Sequence, residues 1–294
     1  MGFCLVLTRD RWLELASYHL VSFTGSEHVG RVVGKNVQSR FGKVLLELGG
    51  NNGSSLPHPT PSIHSYFFLI AAIVMPDADL SLAVPAVFFG SVGTAGQRCT
   101  STRRLYLHHT IAPEFLERLQ KLYAALQPGD PLDARTLLGP LHTRAAVDAY
   151  DSAIAELQAA DAHILVGGAR YEGSGGGNFV HPTIAVPPQG GGGGGALWAT
   201  ERFAPILLVA EFGELEQAIA WNNAVPQGLS SSLWTRDVRN VGRWIGPAGS
   251  DAGIVNVKEF FLPPPVSVLM TSAQVNVGTS GAEIGAAFGG NKVR

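Results

Sequence analysis

Short apolar runs and helix-period segments alternate along most of this chain, with glycine or proline between them. Residues 21–26 read as a strand ending in Gly25-Ser26. Val29, Val32, Val33, Val37 and Phe41 then recur at helical spacing, which predicts a helix with Ser26 as its N-cap. Residues 44–48, 103–108, 164–166, 179–186, 206–211 and 228–235 read as further strands. Helices are expected over 80–89 in spite of Pro85, from Pro113 to Leu126, over 143–160 and over 214–222. Strands that alternate with helices of this length are joined by crossovers, so the fold class is α/β with a largely parallel sheet. A charged fraction of 15% fits buried, sheet-rich structure, since soluble domains average about 25%.

Composition excludes several functions. A formal net charge of −2 offers no footprint for nucleic acid or an anionic membrane surface. No apolar run approaches the roughly 18 residues of a membrane span. Cys4 and Cys99 are the only cysteines, too few for a disulfide framework and without metal-ligand spacing, so a reducing compartment and no metal are expected. The glycines at 190–195 read as a surface loop, because no Lys-Ser/Thr follows to make a phosphate loop.

The residues with chemical potential lie in two glycine-rich stretches. Cys99 closes Gly93-Thr94-Ala95-Gly96-Gln97-Arg98-Cys99, and Glu47 lies about fifty residues upstream in Leu46-Glu47-Leu48-Gly49-Gly50. A thiol and an isolated carboxylate suit covalent catalysis followed by general-base hydrolysis. Taken alone, a lone cysteine in a small-residue loop is more often an inert packed thiol. The Gly25-Ser26 turn before a helix suits an anion, and equally an ordinary β–α connection.

The motifs also run in a recognisable order. They are Phe23-Thr24-Gly25-Ser26, Leu46-Glu47-Leu48-Gly49-Gly50-Asn51-Asn52, Gly96-Gln97-Arg98-Cys99, Gly139-Pro140-Leu141, Glu201-Arg202-Phe203-Ala204-Pro205, Gly253-Ile254-Val255-Asn256 and Thr279-Ser280-Gly281-Ala282-Glu283-Ile284-Gly285. In this the chain resembles the aldehyde dehydrogenase superfamily, closest to its antiquitin branch, the α-aminoadipic semialdehyde dehydrogenases. The resemblance implies an aldehyde dehydrogenase-like fold, with a remnant of the Rossmann-like cofactor domain beside the α/β catalytic domain. It implies NAD as cofactor and a small aldehyde, such as an amino-acid semialdehyde, as substrate. It makes Cys99 the nucleophile and Glu47 the base that activates water. It places Gly25 and Ser26 beside the cofactor pyrophosphate, Glu201 on the nicotinamide ribose and Phe203 beside the ring. It gives Arg98 and the Ser280-Gly281-Ala282 backbone the carboxylate end of the substrate. Asn256 and Glu283 read as structural.

The same resemblance suggests a division of the chain. Residues 1–19 are an unmatched leader, 20–50 the end of the cofactor domain, and 51–256 the catalytic domain. Residues 53–70 and 257–274 read as insertions, and 275–294 as the start of a truncated C-terminal segment. Both insertions are rich in Phe, Leu, Pro and Ser, whose pyrimidine-rich codons suggest translated introns. The family is homo-oligomeric, but the C-terminal oligomerisation segment is expected to be missing. The location is expected to be cytoplasmic, with mitochondria left open. An inactive remnant unable to bind cofactor, and a cofactor-independent thiol esterase, stand as alternatives.

Overall fold

The structure is a computed structural model that describes residues 18–25, 27–48, 70–173, 176–188, 195–225, 228–258 and 273–275. The expected parallel architecture is present. The first unit is β1 (Leu20–Gly25), α1 (Glu27–Gln38) and β2 (Lys43–Leu48), with β1 and β2 parallel in a two-stranded sheet of their own. Phe41, expected on the apolar stripe of α1, lies beyond its end instead. Its φ is 58° and its side chain is 99% exposed, because the chain must reverse there to enter β2.

The second unit is an eight-stranded sheet. In chain order it comprises β3 (Ile70–Val74), α2 (Leu80–Val92), β4 (Thr102–His108), α3 (Ala112–Ala125), α4 (Arg144–Ala159), β5 (His163–Val166), β6 (Thr183–Val186), α5 (Ala196–Ala199), β7 (Ile206–Phe212), α6 (Leu215–Asn223), β8 (Ser230–Trp234), α7 (Val238–Ile245), β9 (Ile254–Lys258) and β10 (Ala273–Val275). The strand order is β10-β9-β8-β3-β4-β7-β6-β5, parallel throughout except for the β5–β6 pair. Helices cover the central strands, so these are buried on both faces and carry continuous rather than alternating apolar runs. Ala71 to Val74 of β3 and Leu105 to Leu107 of β4 are all buried.

Three differences from the expected elements have physical causes. Residues 179–182 are not part of β6: Pro182 has no N–H for a ladder, and Val180 makes only an isolated bridge to Arg170. Helix α7 was not among the expected elements, being a segment of only eight residues; Asp237 caps it by accepting from Arg239 N at 2.8 Å. Ile70 stands in β3, Lys258 in β9 and Ala273 in β10, so strands reach into the ends of both stretches read as insertions. The remainder of those stretches lies outside the described residues.

Two contacts fix α2, whose C-terminus leads to Cys99. Asp79 caps its N-terminus through Ser81 N at 2.8 Å. Tyr123 of α3 donates to Ser91 Oγ at 2.7 Å, and Ser91 donates in turn to Val87 O at 2.7 Å.

Tyr150 of α4 has a comparable role beside β6. Its hydroxyl lies 2.8 Å from both His181 O and Thr183 Oγ1. Burial pushes this phenol up to about 12. An acid whose pKa is higher folded than unfolded stabilises the fold fully below its unfolded pKa, about 10 for tyrosine, and loses that contribution as pH rises through the folded value. Tyr150→Phe is therefore expected to cost about 1–2 kcal/mol in urea unfolding at neutral pH. It should also flatten the loss of stability of the wild-type chain on the alkaline side.

Candidate functional site

The loop before Cys99 is wound the wrong way for ordinary residues. Residues Gly93–Gly96 form a short 3₁₀ turn in which Thr94 and Ala95 have φ of 52° and 53°, and Gly96 follows at 67°. Left-handed backbone at non-glycine residues costs of order 1–3 kcal/mol each and persists only when the surroundings hold it. Those surroundings are visible. Gln97 Oε1 accepts from His142 N at 2.9 Å, and Gln97 Nε2 donates to Pro140 O at 3.3 Å. The Gly139-Pro140-Leu141 motif thus braces the loop from outside. Arg98 N donates to Ser101 Oγ at 3.1 Å, and Ser101 N returns a bond to Arg98 O at 3.1 Å.

Cys99 emerges from this loop with its residue exposed and its thiol free. Its thiol is nevertheless pushed up, first by desolvation from the packed loop, then by the charge of Glu201, and further by that of Glu47; Arg103 opposes them. Glu47 and Cys99 therefore lie within electrostatic reach of each other, although they belong to different sheets. Strand β2 is brought there by Leu48, which packs with Leu229, Phe23 and Leu46 in a small apolar cluster. Glu47→Gln is expected to speed iodoacetamide alkylation of Cys99 at neutral pH, since the substitution removes a charge that holds the thiol protonated. An unchanged rate would separate the two groups.

Arg98 is half-buried and rests over the Phe89 ring, its guanidinium carbon 5.3 Å from the centroid. Its planar face is held by the ring, and its nitrogen edge suits a carboxylate. Glu201 is fully buried, and its Oε1 accepts from Arg103 Nη2 at 2.9 Å and Arg103 Nε at 3.2 Å. The Phe203 ring lies under the same guanidinium at 5.3 Å. Both residues expected to face a cofactor thus stand around a buried arginine.

Gly25 ends β1 opposite Leu48. Helix α1 begins two residues later and packs closely on β2: a Cβ at Gly30 would lie 2.1 Å from Leu48 Cδ2. Ser26, Ser280, Gly281 and Ala282 lie outside the described residues. The structure thus brings Cys99, Glu47, Arg98, Glu201 and Phe203 together, with Gly25 at the end of the neighbouring strand.

Sequence reasoning passed over Arg103 and treated residues 103–108 only as a strand. Yet Arg103 and Arg104 are 3% and 1% exposed. Two consecutive arginines entering a strand that is otherwise apolar was the available signal, because side chains at successive strand positions point to opposite faces and one at least had to be buried. Arg104 points away from Cys99 and donates to Trp221 O at 3.0 Å, at the C-terminal end of α6. Among the described residues no cluster of His, Cys, Asp or Glu is arranged to hold a metal, and no helix is long and apolar enough to cross a membrane.

Comparison with known proteins bears on the family and the fold. The sequence model described as "Aldehyde dehydrogenase family" matches residues 9–56 and 70–269. Its match breaks inside the first stretch read as an insertion and continues across most of the second. Aldehyde dehydrogenase family 7 member A1 of Pisum sativum is 46% identical over 273 residues, 93% of this chain and 46% of that protein. The α-aminoadipic semialdehyde dehydrogenase of Bos taurus is 45% identical over 273 residues, again 93% of this chain but 43% of the relative. The chain thus spans about half the length of the curated relatives it matches. Among solved structures, an NAD-dependent aldehyde dehydrogenase from Sinorhizobium meliloti superposes with a TM-score of 0.69 at 26% identity, covering 85% of this chain and 45% of that one.

Proposed function

The chain belongs to the aldehyde dehydrogenase family, and we propose that it serves the NAD-dependent oxidation of an aldehyde bearing a carboxylate, an amino-acid semialdehyde such as α-aminoadipic semialdehyde, to the corresponding acid. The observation that carries this reading is that the Glu47 carboxylate, on a different sheet, lies within electrostatic reach of the Cys99 thiol. In the reading, the Cys99 thiolate adds to the aldehyde carbon to give a thiohemiacetal; once the hydride on that carbon has left for the acceptor that NAD would supply, the acyl group stays on the sulfur as a thioester. Glu47 then takes a proton from the water that attacks it. The Cys99 backbone N–H supplies a donor to the developing oxyanion. Arg98, steadied over Phe89, takes the substrate's distal carboxylate.

The residues present fit the pyrophosphate and nicotinamide half of a dinucleotide. Gly30 lets α1 press onto β2, so the N-terminus of the helix opens beside Gly25 and suits a phosphate. Phe203, half-buried, would face the nicotinamide, whereas Glu201 is fully buried against Arg103 and would have to leave that pair to reach a ribose. When bound, NAD would supply the hydride acceptor. The separate β1–β2 sheet supports reading residues 20–50 as the end of a cofactor domain and the eight-stranded sheet as the catalytic one.

Arg98→Leu tests the substrate assignment. Charge-assisted bonds contribute about 1.5–3 kcal/mol, so kcat/KM for a carboxylate-bearing semialdehyde should fall roughly 10- to 100-fold. A neutral aldehyde of similar length should be affected far less. Equal losses on both substrates would remove Arg98 from the substrate site. Calorimetric titration of the chain with NAD tests the cofactor, and the absence of binding would overturn the NAD-dependent reading.

A further inference from the structure

We propose that Arg103 is a positioning residue that locks the Cys99 loop to the Glu201-Arg202-Phe203 segment, so that the nucleophile and the cofactor-side wall are held as one piece. All three guanidinium nitrogens are engaged. Nη1 donates to Gly96 O at 2.9 Å and to Arg202 O at 3.0 Å. Nη2 donates to Arg98 O at 2.8 Å and to Glu201 Oε1 at 2.9 Å. Nε completes a forked contact with Glu201 Oε1 at 3.2 Å. The face of the group covers Phe203.

The distribution of these acceptors is informative. Gly96 O and Arg98 O lie on the two sides of Gln97, the first in the strained turn and the second immediately before Cys99. Glu201 Oε1 and Arg202 O lie on a segment that is itself rigidly tied. Arg202 Nη1 donates to Leu197 O at 3.0 Å, and Pro205 O accepts from Thr183 N at 2.8 Å. A lysine in place of Arg103 would retain the charge but could not span this fork, because an ammonium is a single compact donor centre on a flexible stem. The pair is buried on both sides, so its worth lies in geometry more than in net stability. Arg103 also contributes the cation that opposes the carboxylates around Cys99. The groups acting on the thiol are Glu201 ahead of β7, Glu47 on β2 and Arg103 on β4.

The inference rests on Cys99 as nucleophile, and its test needs neither aldehyde nor NAD. The rate of iodoacetamide alkylation of Cys99 is followed against pH in the full chain by peptide mapping, which separates it from Cys4. Arg103→Gln should move the midpoint up and slow alkylation at neutral pH several-fold. Glu201→Gln should move it down. Arg103→Lys should keep the midpoint near that of the wild type while the loop around residues 93–101 becomes more open to proteolysis. If Arg103→Gln yields no soluble protein, the lysine and Glu201 variants carry the test between them. Opposed shifts with a loosened lysine variant support the lock. Shifts of the same sign, or a lysine variant as protease-resistant as wild type, overturn it. A wild-type Cys99 that takes no iodoacetamide at any pH overturns the nucleophile itself, and this inference with it.

Discussion

Cys99→Ala is expected to leave the fold intact and to remove aldehyde-dependent NADH formation. The two halves of this expectation have separate grounds. The residue is exposed at the mouth of its loop, and substitutions of exposed side chains away from caps and buried networks usually change stability by no more than about 0.5 kcal/mol. The acyl group, by contrast, has no other nucleophile among the residues gathered at the site. Loss of a covalent nucleophile costs about three or more orders of magnitude in turnover. The measurement is NADH absorbance with a semialdehyde, alongside urea unfolding of both proteins. Retained turnover in the variant would exclude a thioester route. Matching unfolding midpoints are required before a lost signal is read as chemistry.

Gly96→Ala is expected to have the opposite balance, with the largest loss of stability of any single methyl added to this loop. Gly96 has φ of 67°, and an ideal Cβ there would sit 2.4 Å from Ala204 O and 2.5 Å from Ala204 C. Those atoms are backbone and cannot rotate away. Ala204 is itself held by bonds to its neighbours, with Ile206 N donating to Ala204 O at 2.8 Å. The left-handed conformation and the forced separation should together cost about 3 kcal/mol or more. Gly242→Ala in α7 is the control: nothing lies within 4 Å of its ideal Cβ, and a helical glycine replaced by alanine gains roughly 0.5–1 kcal/mol. Urea unfolding of the two variants should therefore move in opposite directions. If Gly96→Ala unfolds like wild type, the close contact between the Cys99 loop and the 204–205 wall does not exist.

The elements were legible wherever one period dominated. The amphipathic stripe of α3, with Phe115, Leu119 and Tyr123 buried, announced itself at helical spacing. The apolar runs of β4 and β7 did so as strands buried on both faces. Short segments were passed over, because a period that spans barely two turns does not dominate. Helix α7 carries Val238, Val241, Trp244 and Ile245 at helical spacing, but it has only eight residues, of which Trp244 is buried. The Phe41 reading failed because the residue fits a helical stripe by spacing alone, while the chain reverses before reaching it.

The site divides in the same way. Glycines, a lone cysteine and an isolated carboxylate are local patterns, so sequence by itself singled out Cys99, Glu47 and the Gly25 turn as candidates, and the family resemblance added Arg98 and Glu201. Their order along the chain also determined the family. Only the tertiary structure brought Glu47 within electrostatic reach of Cys99, through the packing of Leu48 with Leu229. It also decided that Glu201 shares a buried fork with Arg103 rather than standing alone. The reason is physical: the worth of a buried charge is set by the groups folded against it, and these lie 98 residues apart in sequence.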